Sequence, residues 1–232
     1  MQTLFLTGST GALAGAIRHA YLEAGWAVAG FSRRGDTHPH PNYRGYAAGD
    51  ATDEGALAAV MKEAVLELGA PRALVATVGG ITPWKSVTET TVESFRDLVE
   101  LNLTSLFVAA KVALPLMTAG GAVVTIGAEA ALEPTALKGG YAASKAGVIA
   151  LTRVIASEGK GLGISANVIV PGTIRTAANE SWATPEMIRS WTTPEAIAAT
   201  CLYLSSPHGR RVTDTIIRMP DRPECGHEPA AR

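Results

Sequence analysis

Tyr141 and Lys145 stand four residues apart in Tyr-Ala-Ala-Ser-Lys, which puts a phenol and an ammonium on one face of a single helical turn. A phenol is a weak acid of pKa about 10, and a neighbouring cation lowers it toward working pH. Such a pair can pass a proton to a developing alkoxide or amine. In a chain of 232 residues with this tyrosine and lysine content, roughly one sequence in eight carries the pair by chance. Its meaning depends on whether the remaining residues build a redox site around it.

The elements that must position the pair follow from hydrophobic periodicity. Short apolar runs at 4–7, 27–31, 73–76, 123–126 and 166–170 alternate with helix-compatible stretches at 12–24, 54–68, 92–116 and 141–158. This alternation predicts repeated βα units around a parallel sheet buried on both faces, an α/β fold. Pro194 opens a further helix with proline in its first turn, and 215–218 is the candidate last strand. One domain covers 1–219, and the proline-bearing tail 220–232 reads as a loosely held extension or a partner-chain contact.

Composition excludes several function classes. Hydrophobic residues make up 47% and charged residues 18%, as in a compact protein. The net charge of −1 leaves no electrostatic footprint for nucleic acid or an acidic membrane. No apolar run reaches spanning length and the first residues lack a secretory pattern, so a cytoplasmic location is expected. Cys201 and Cys225 lack zinc-like spacing, which predicts reduced thiols. Asp36, His38 and His40 share a proline-bearing loop that offers too few ligands, and no metal is expected.

Two motifs point to a dinucleotide. Thr7-Gly8-Ser9-Thr10-Gly11, with Leu13 two residues on, falls where the first strand turns into the first helix. Glycine there lets the backbone approach a pyrophosphate, whose charge is met by amides at the helix amino terminus; the alternative is a plain turn. Ser32-Arg33-Arg34 ends the second strand. An acidic side chain at this position binds the 2′-hydroxyl of NAD, whereas arginine suits a 2′-phosphate. Arg33 therefore favours NADP(H), with NAD(H) open, and a solvated basic loop is the competing reading, most of all for Arg34.

In order and spacing, these pieces resemble the short-chain dehydrogenase/reductase family over nearly the whole chain. The resemblance implies a single-domain, Rossmann-like, doubly wound parallel sheet with helices on both faces. It makes Thr7, Gly8 and Gly11 the cofactor turn, Asp50 and Ala51 the turn that holds adenine, and Gly79 part of the segment that is usually Asn-Asn-Ala-Gly. Tyr141 becomes the general acid in reduction, and Lys145 its tuner and a partner of the nicotinamide ribose. Asn102 would hold a helix kink and a water path from the lysine to solvent. Pro171, Gly172, Ile174 and Thr176 match the nicotinamide-side loop, where Thr176 and the Ile174 backbone would grip the carboxamide.

One position departs from the family. Its catalytic serine, thirteen residues before the tyrosine, is replaced by Ala128. Either the reaction does not need that donor, or the protein has drifted from catalysis. Quinonoid dihydropteridine reductase, a branch of the family, is similar at Gly11-Ala12-Leu13, Val78-Gly79-Gly80 and Ala128, although it carries an acidic residue where this chain has Arg33. That likeness implies a small-molecule acceptor with a conjugated C=N, quinonoid or carbonyl group. A carbonyl reductase with a substitute donor, such as Thr125 or Glu129, and a non-catalytic dinucleotide-binding protein are the rivals. The family's mobile substrate lid falls at about 177–193, where Trp182, Met187 and Trp191, joined by Trp84, offer an apolar wall; sealing a subunit interface is the other reading. Broad apolar faces on 92–116 and 141–158 imply a homodimer or homotetramer.

Overall fold

The computed structural model describes residues 1–81 and 84–222. Seven parallel strands form one sheet in the order β3-β2-β1-β4-β5-β6-β7. They are β1 (Thr3–Thr7), β2 (Ala27–Ser32), β3 (Tyr43–Ala47), β4 (Ala73–Ala76), β5 (Ala122–Ile126), β6 (Ser165–Pro171) and β7 (Thr215–Met219). Every residue of β1, β2, β4, β5 and β6 is buried, which is why these segments read as continuous apolar runs rather than alternating ones.

Helices cover both faces. On one, α1 (Ala12–Glu23) and α8 (Pro194–Ser205) bury Ile17, Tyr21, Ile197 and Leu204 against Leu4, Leu6, Val28 and Val75. On the other lie α2 (Glu54–Leu68), α4 (Ser105–Ala113) and α5 (Gly139–Glu158), whose Leu57, Met61, Val108 and Ile155 pack on Phe5, Leu74 and Val123. The two strands on either side of β1 belong to opposite halves of the fold: the chain proceeds from β1 to β2 and β3 at one edge, then returns to β4 on the far side of β1. The carboxyl ends of β1 and β4 therefore part around a crevice.

Two elements differ from the reading of the sequence. β3 is a strand that the search for apolar runs passes over, because only Tyr43 and Tyr46 of its five residues are buried. The stretch 92–116 is not one regular helix: α3 (Val92–Val99) passes through a π-helical segment, Glu100–Thr104, into α4 and a last 3-10 turn, Leu114–Leu116. By length and composition that stretch is apolar enough to cross a membrane, yet half of its apolar window is buried inside the protein, with Leu106, Ala109 and Ala113 inward. Packing on the sheet accounts for its apolarity.

Of the tail, the described residues Pro220, Asp221 and Arg222 are held: the Arg222 amide donates to Ser190 O at 2.8 Å and Asp221 Oδ1 accepts from the Thr173 amide at 2.7 Å. Residues 223–232, Cys225 among them, lie outside the described residues.

Between α1 and α8, the fully buried Tyr21 hydroxyl donates to Cys201 O at 2.9 Å and lies 2.6 Å from Ser205 Oγ. Tyr21→Phe keeps the ring and removes this link, so urea unfolding is expected to show a loss of about 1 kcal/mol with an unchanged denaturant slope.

Candidate active site

The crevice at the carboxyl ends of the strands opens into two lobes that share Gly11, Thr77 and Gly79, one of about 620 Å³ and one of about 750 Å³. The first is lined by Thr7, Gly8, Thr10 and Gly11 of the glycine turn, by Ser32 and Arg33 at the end of β2, and by Asp50 and Ala51 beyond β3. The second holds Leu13, Ala128, Tyr141, Lys145, Pro171, Gly172, Ile174, Thr176, Trp84 and Trp182.

Local rules explain the glycine turn. Gly8 has φ +73°, and a Cβ there would lie 2.9 Å from Thr77 Oγ1 in the adjoining chain, so only glycine fits on both counts. α2, α3 and α8 have side-chain caps from Asp53, Thr91 and Thr193, whereas α1 starts at Gly11 with none. Its first amides are left free to meet an anion. Ser9 does not take part: its amide donates to Phe31 O and its hydroxyl to Asp36 Oδ1 at 2.8 Å, away from the cleft. Ser9, expected in the cofactor turn, lines neither lobe in the structure, and its hydroxyl is taken up by the half-buried Asp36 carboxylate.

Tyr141 and Lys145 lie in the first two turns of α5, beside the end of β5. Lys145 is buried, and its Nζ donates to Ile126 O at 2.9 Å. Burial lowers its pKa to about 8. Burial also raises the Tyr141 phenol, to about 12. Desolvation alone accounts for the raised phenol, while Lys145 directs an N–H at a backbone carbonyl.

Asn102 sits in the π-helical segment, 1% exposed. Its amide clamps the backbone after β4, with Oδ1 accepting from the Gly80 amide at 2.9 Å and Nδ2 donating to Gly80 O at 3.0 Å and to Ser144 Oγ at 3.1 Å. Ser144 in turn donates to Tyr141 O at 2.9 Å. Asn102 therefore ties β4 to α5 without lining either lobe. A Cβ at Gly79 would come within 2.7 Å of Asn102 Oδ1 and 3.0 Å of Lys145 Nζ, which leaves glycine as the residue that keeps this corner open.

Ala128 faces the second lobe, and a methyl donates no hydrogen bond. Thr125 cannot replace the missing serine: it is fully buried under the sheet, with its hydroxyl 2.7 Å from Thr152 Oγ1. Glu129 does line the lobe, but Arg218 holds it together with Glu133. Of the aromatics, Trp84 and Trp182 line the lobe and are 56% and 60% exposed. Trp191, at 6%, is buried behind Trp182 with ring centroids 5.2 Å apart, so it supports the wall instead of forming its surface. Met187 is exposed on α7 (Pro185–Ser190) and lines neither lobe.

Three lining groups carried no motif in the sequence. Asp221 reaches the lobe from beyond β7, Asn179 from α6 (Ala177–Glu180), where it donates to Ile174 O at 2.8 Å, and Lys138 from the loop before α5, with Nζ 4.1 Å over the Trp84 ring.

A family model described as enoyl-(acyl carrier protein) reductase matches residues 12–219. The chain belongs to the short-chain dehydrogenase/reductase family. Members are NAD(P)-dependent oxidoreductases. Among curated relatives, cis-4-hydroxycyclohexanecarboxylate dehydrogenase of Sinomonas cyclohexanicum is 31% identical over 180 residues, 73% of this chain and 72% of that protein. A Xanthobacter autotrophicus protein named "Inactive 2-(S)-hydroxypropyl-CoM dehydrogenase 2" is 40% identical over 127 residues, 54% of this chain and 55% of its own length, so that match spans about half of the relative. The fold is that of ElxO with NADP bound, at a TM-score of 0.85 and 21% identity over 95% of this chain and 97% of that one.

The buried lysine has a signature in the pH dependence of stability. Between about pH 8 and its ordinary 10.5, the unfolded chain binds a proton at Lys145 that the folded chain has lost, so this group adds stability as pH rises. Above pH 10 Tyr141 acts oppositely, because the folded phenol keeps its proton to about 12. Urea unfolding of wild type and Lys145→Met at pH 8 and pH 10 is expected to show the wild type gaining on the variant at the higher pH.

Proposed function

We propose that this protein is an NADP(H)-dependent reductase of a small planar acceptor, with Tyr141 as the sole side-chain proton donor. The observation that carries this reading is the pairing, in one lobe, of a protonated phenol that has no hydrogen-bond partner among the described residues with a methyl at the position of the second donor. A dinucleotide fits the first lobe on three counts: the uncapped amino terminus of α1, the close approach allowed by Gly8, and the buried Ser32 Oγ, which has no hydrogen-bond partner among the described residues. Arg33 lines that lobe without a salt-bridge partner among the described residues, which supports a 2′-phosphate and hence NADP(H) over NAD(H). ElxO, of the same fold, binds NADP.

When bound, the dihydronicotinamide would supply a hydride to the acceptor, at the carbon of a C=N or C=O group or at a ring nitrogen of a quinonoid pterin, and be left oxidised. Tyr141 gives its proton to the acceptor's nitrogen or oxygen, a role worth about 10²–10⁴-fold in rate. Lys145 presents N–H groups beside it and restores charge balance once the phenol has given up its proton. Pro171, Gly172, Ile174 and Thr176 flank the nicotinamide end of the lobe, and Trp84 and Trp182 cover a flat ring. Because Ala128 offers no bond to a carbonyl oxygen, the acceptor class favoured is a conjugated C=N or quinonoid ring such as a dihydropterin. We place the enzyme in the cytoplasm as a homodimer or homotetramer, joined through the outward Phe95, Phe107 and Val154 of α3, α4 and α5.

A second reading, a dinucleotide-binding protein without turnover, is favoured by Ala128 together with the name of the Xanthobacter relative. Stopped-flow oxidation of NADPH with quinonoid dihydropterins, cyclic imines and ketones separates the two. Turnover of the first two classes is expected, with no gain in Ala128→Ser. Ketone reduction made at least tenfold faster by the serine would mark a displaced carbonyl reductase. No turnover of any acceptor would leave the binding protein as the correct reading.

A further inference from the structure

The chain carries an acidic residue, Asp36, three positions after Arg33 of the first lobe, and the fold turns its side chain onto Ser9, Arg18 and Tyr43. Asp36 lies in the connection from β2 to β3, with its side chain 16% exposed. Its Oδ1 accepts from Ser9 Oγ at 2.8 Å and from the Tyr43 hydroxyl at 2.7 Å, and its Oδ2 accepts from Arg18 Nη1 at 2.9 Å. The Arg18 guanidinium also lies 5.2 Å over the Tyr43 ring. Two glycines make the inward turn possible: Gly35, at φ +69°, reverses the chain just before Asp36, and Gly45 leaves room for the Asp36 carbonyl against β3. Arg33 and Arg34 remain exposed, and neither has a salt-bridge partner among the described residues.

A half-buried carboxylate without a cation is costly, and it relieves that cost by turning toward water, here toward the cleft. In that orientation it would repel a 2′-phosphate and accept from a 2′-hydroxyl. We infer that Arg18 is a positioning residue that sets cofactor preference: by cancelling Asp36 and holding it against Ser9 and Tyr43, it keeps a further carboxylate away from Arg33, the cation that lines the first lobe beside Asp50, Asp97 and Glu100. The inference rests on the NADP(H) reading above and adds the residue, outside the lobe, that makes that reading work.

Calorimetric titration with NADPH, NADH, 2′,5′-ADP and 5′-AMP tests it, using wild type, Arg18→Met, Arg18→Lys and Arg18→Met/Asp36→Asn. The wild type is expected to bind 2′,5′-ADP more tightly than 5′-AMP; the reverse would overturn the cofactor reading itself, from wild type alone. Given that preference, Arg18→Met should lower the NADPH/NADH affinity ratio about tenfold, as loss of one cancelling charge near the site predicts. Arg18→Lys should stay within about threefold of wild type, and the double variant should recover the wild-type ratio. Equal weakening of both cofactors, or a double variant that fails to recover the ratio, overturns the inference and leaves Arg18 a structural residue. Melting curves identify a variant that does not fold. Asp36→Asn then carries the test alone: it must keep or raise the preference for NADPH, and a fall contradicts the proposal.

Discussion

An ammonium buried beside the end of β5, with one backbone carbonyl to bond, is the constraint around which this site is built. Lys145 loses hydration on folding and gains, among the described residues, only Ile126 O in return, so its charged form is disfavoured and its pKa falls to about 8. Several neighbours are explained by the need to admit it. β5 ends at Ile126, which frees that carbonyl from a helix or turn, and Gly79 lacks the Cβ that would press on the ammonium. The π-helical segment brings Asn102 to Gly80, so the strand end facing the lysine is held by paired amide bonds instead of by packing. An ammonium with N–H groups unused among the described residues, on the same helix as a phenol without a partner among them, is a site prepared for acceptors that arrive with a ligand.

Two arginines neutralise three carboxylates. Arg18 takes Asp36, and Arg218 takes both Glu129 and Glu133 at the rim of the second lobe. The first lobe keeps Arg33 together with Asp50, Asp97 and Glu100, none of them in a salt bridge among the described residues, while the second is walled in part by Ala128, Ile174, Trp84 and Trp182. The two lobes thus differ in lining: charged side chains of both signs beside the glycine turn in one, an aromatic and apolar wall in the other.

Much of this was legible in the sequence because parallel strands buried on both faces announce themselves as apolar runs, and because Gly8, Gly11, Tyr141 and Lys145 occur at spacings that only one layout satisfies. β3 was not legible: it lies at the sheet edge, and its exposed Arg44 and Gly45 break the pattern. Ser9 and Trp191 read as site residues from their positions in motifs, but motif position does not reveal direction. The Ser9 hydroxyl turns to Asp36, 27 residues away, and Trp191 lies behind Trp182. The Thr125 hydroxyl is taken up by Thr152 of α5 and lines neither lobe. Asp221 reaches the site through pairing of β6 with β7, a contact with no local signal in the chain.

The central claim is that Tyr141 alone hands over the proton. Single-turnover oxidation of bound NADPH by a quinonoid dihydropterin, in wild type and Tyr141→Phe, tests it most directly. The account predicts a loss of about 10²–10⁴-fold in the rate with NADPH affinity unchanged. An equal rate in the two proteins would contradict it.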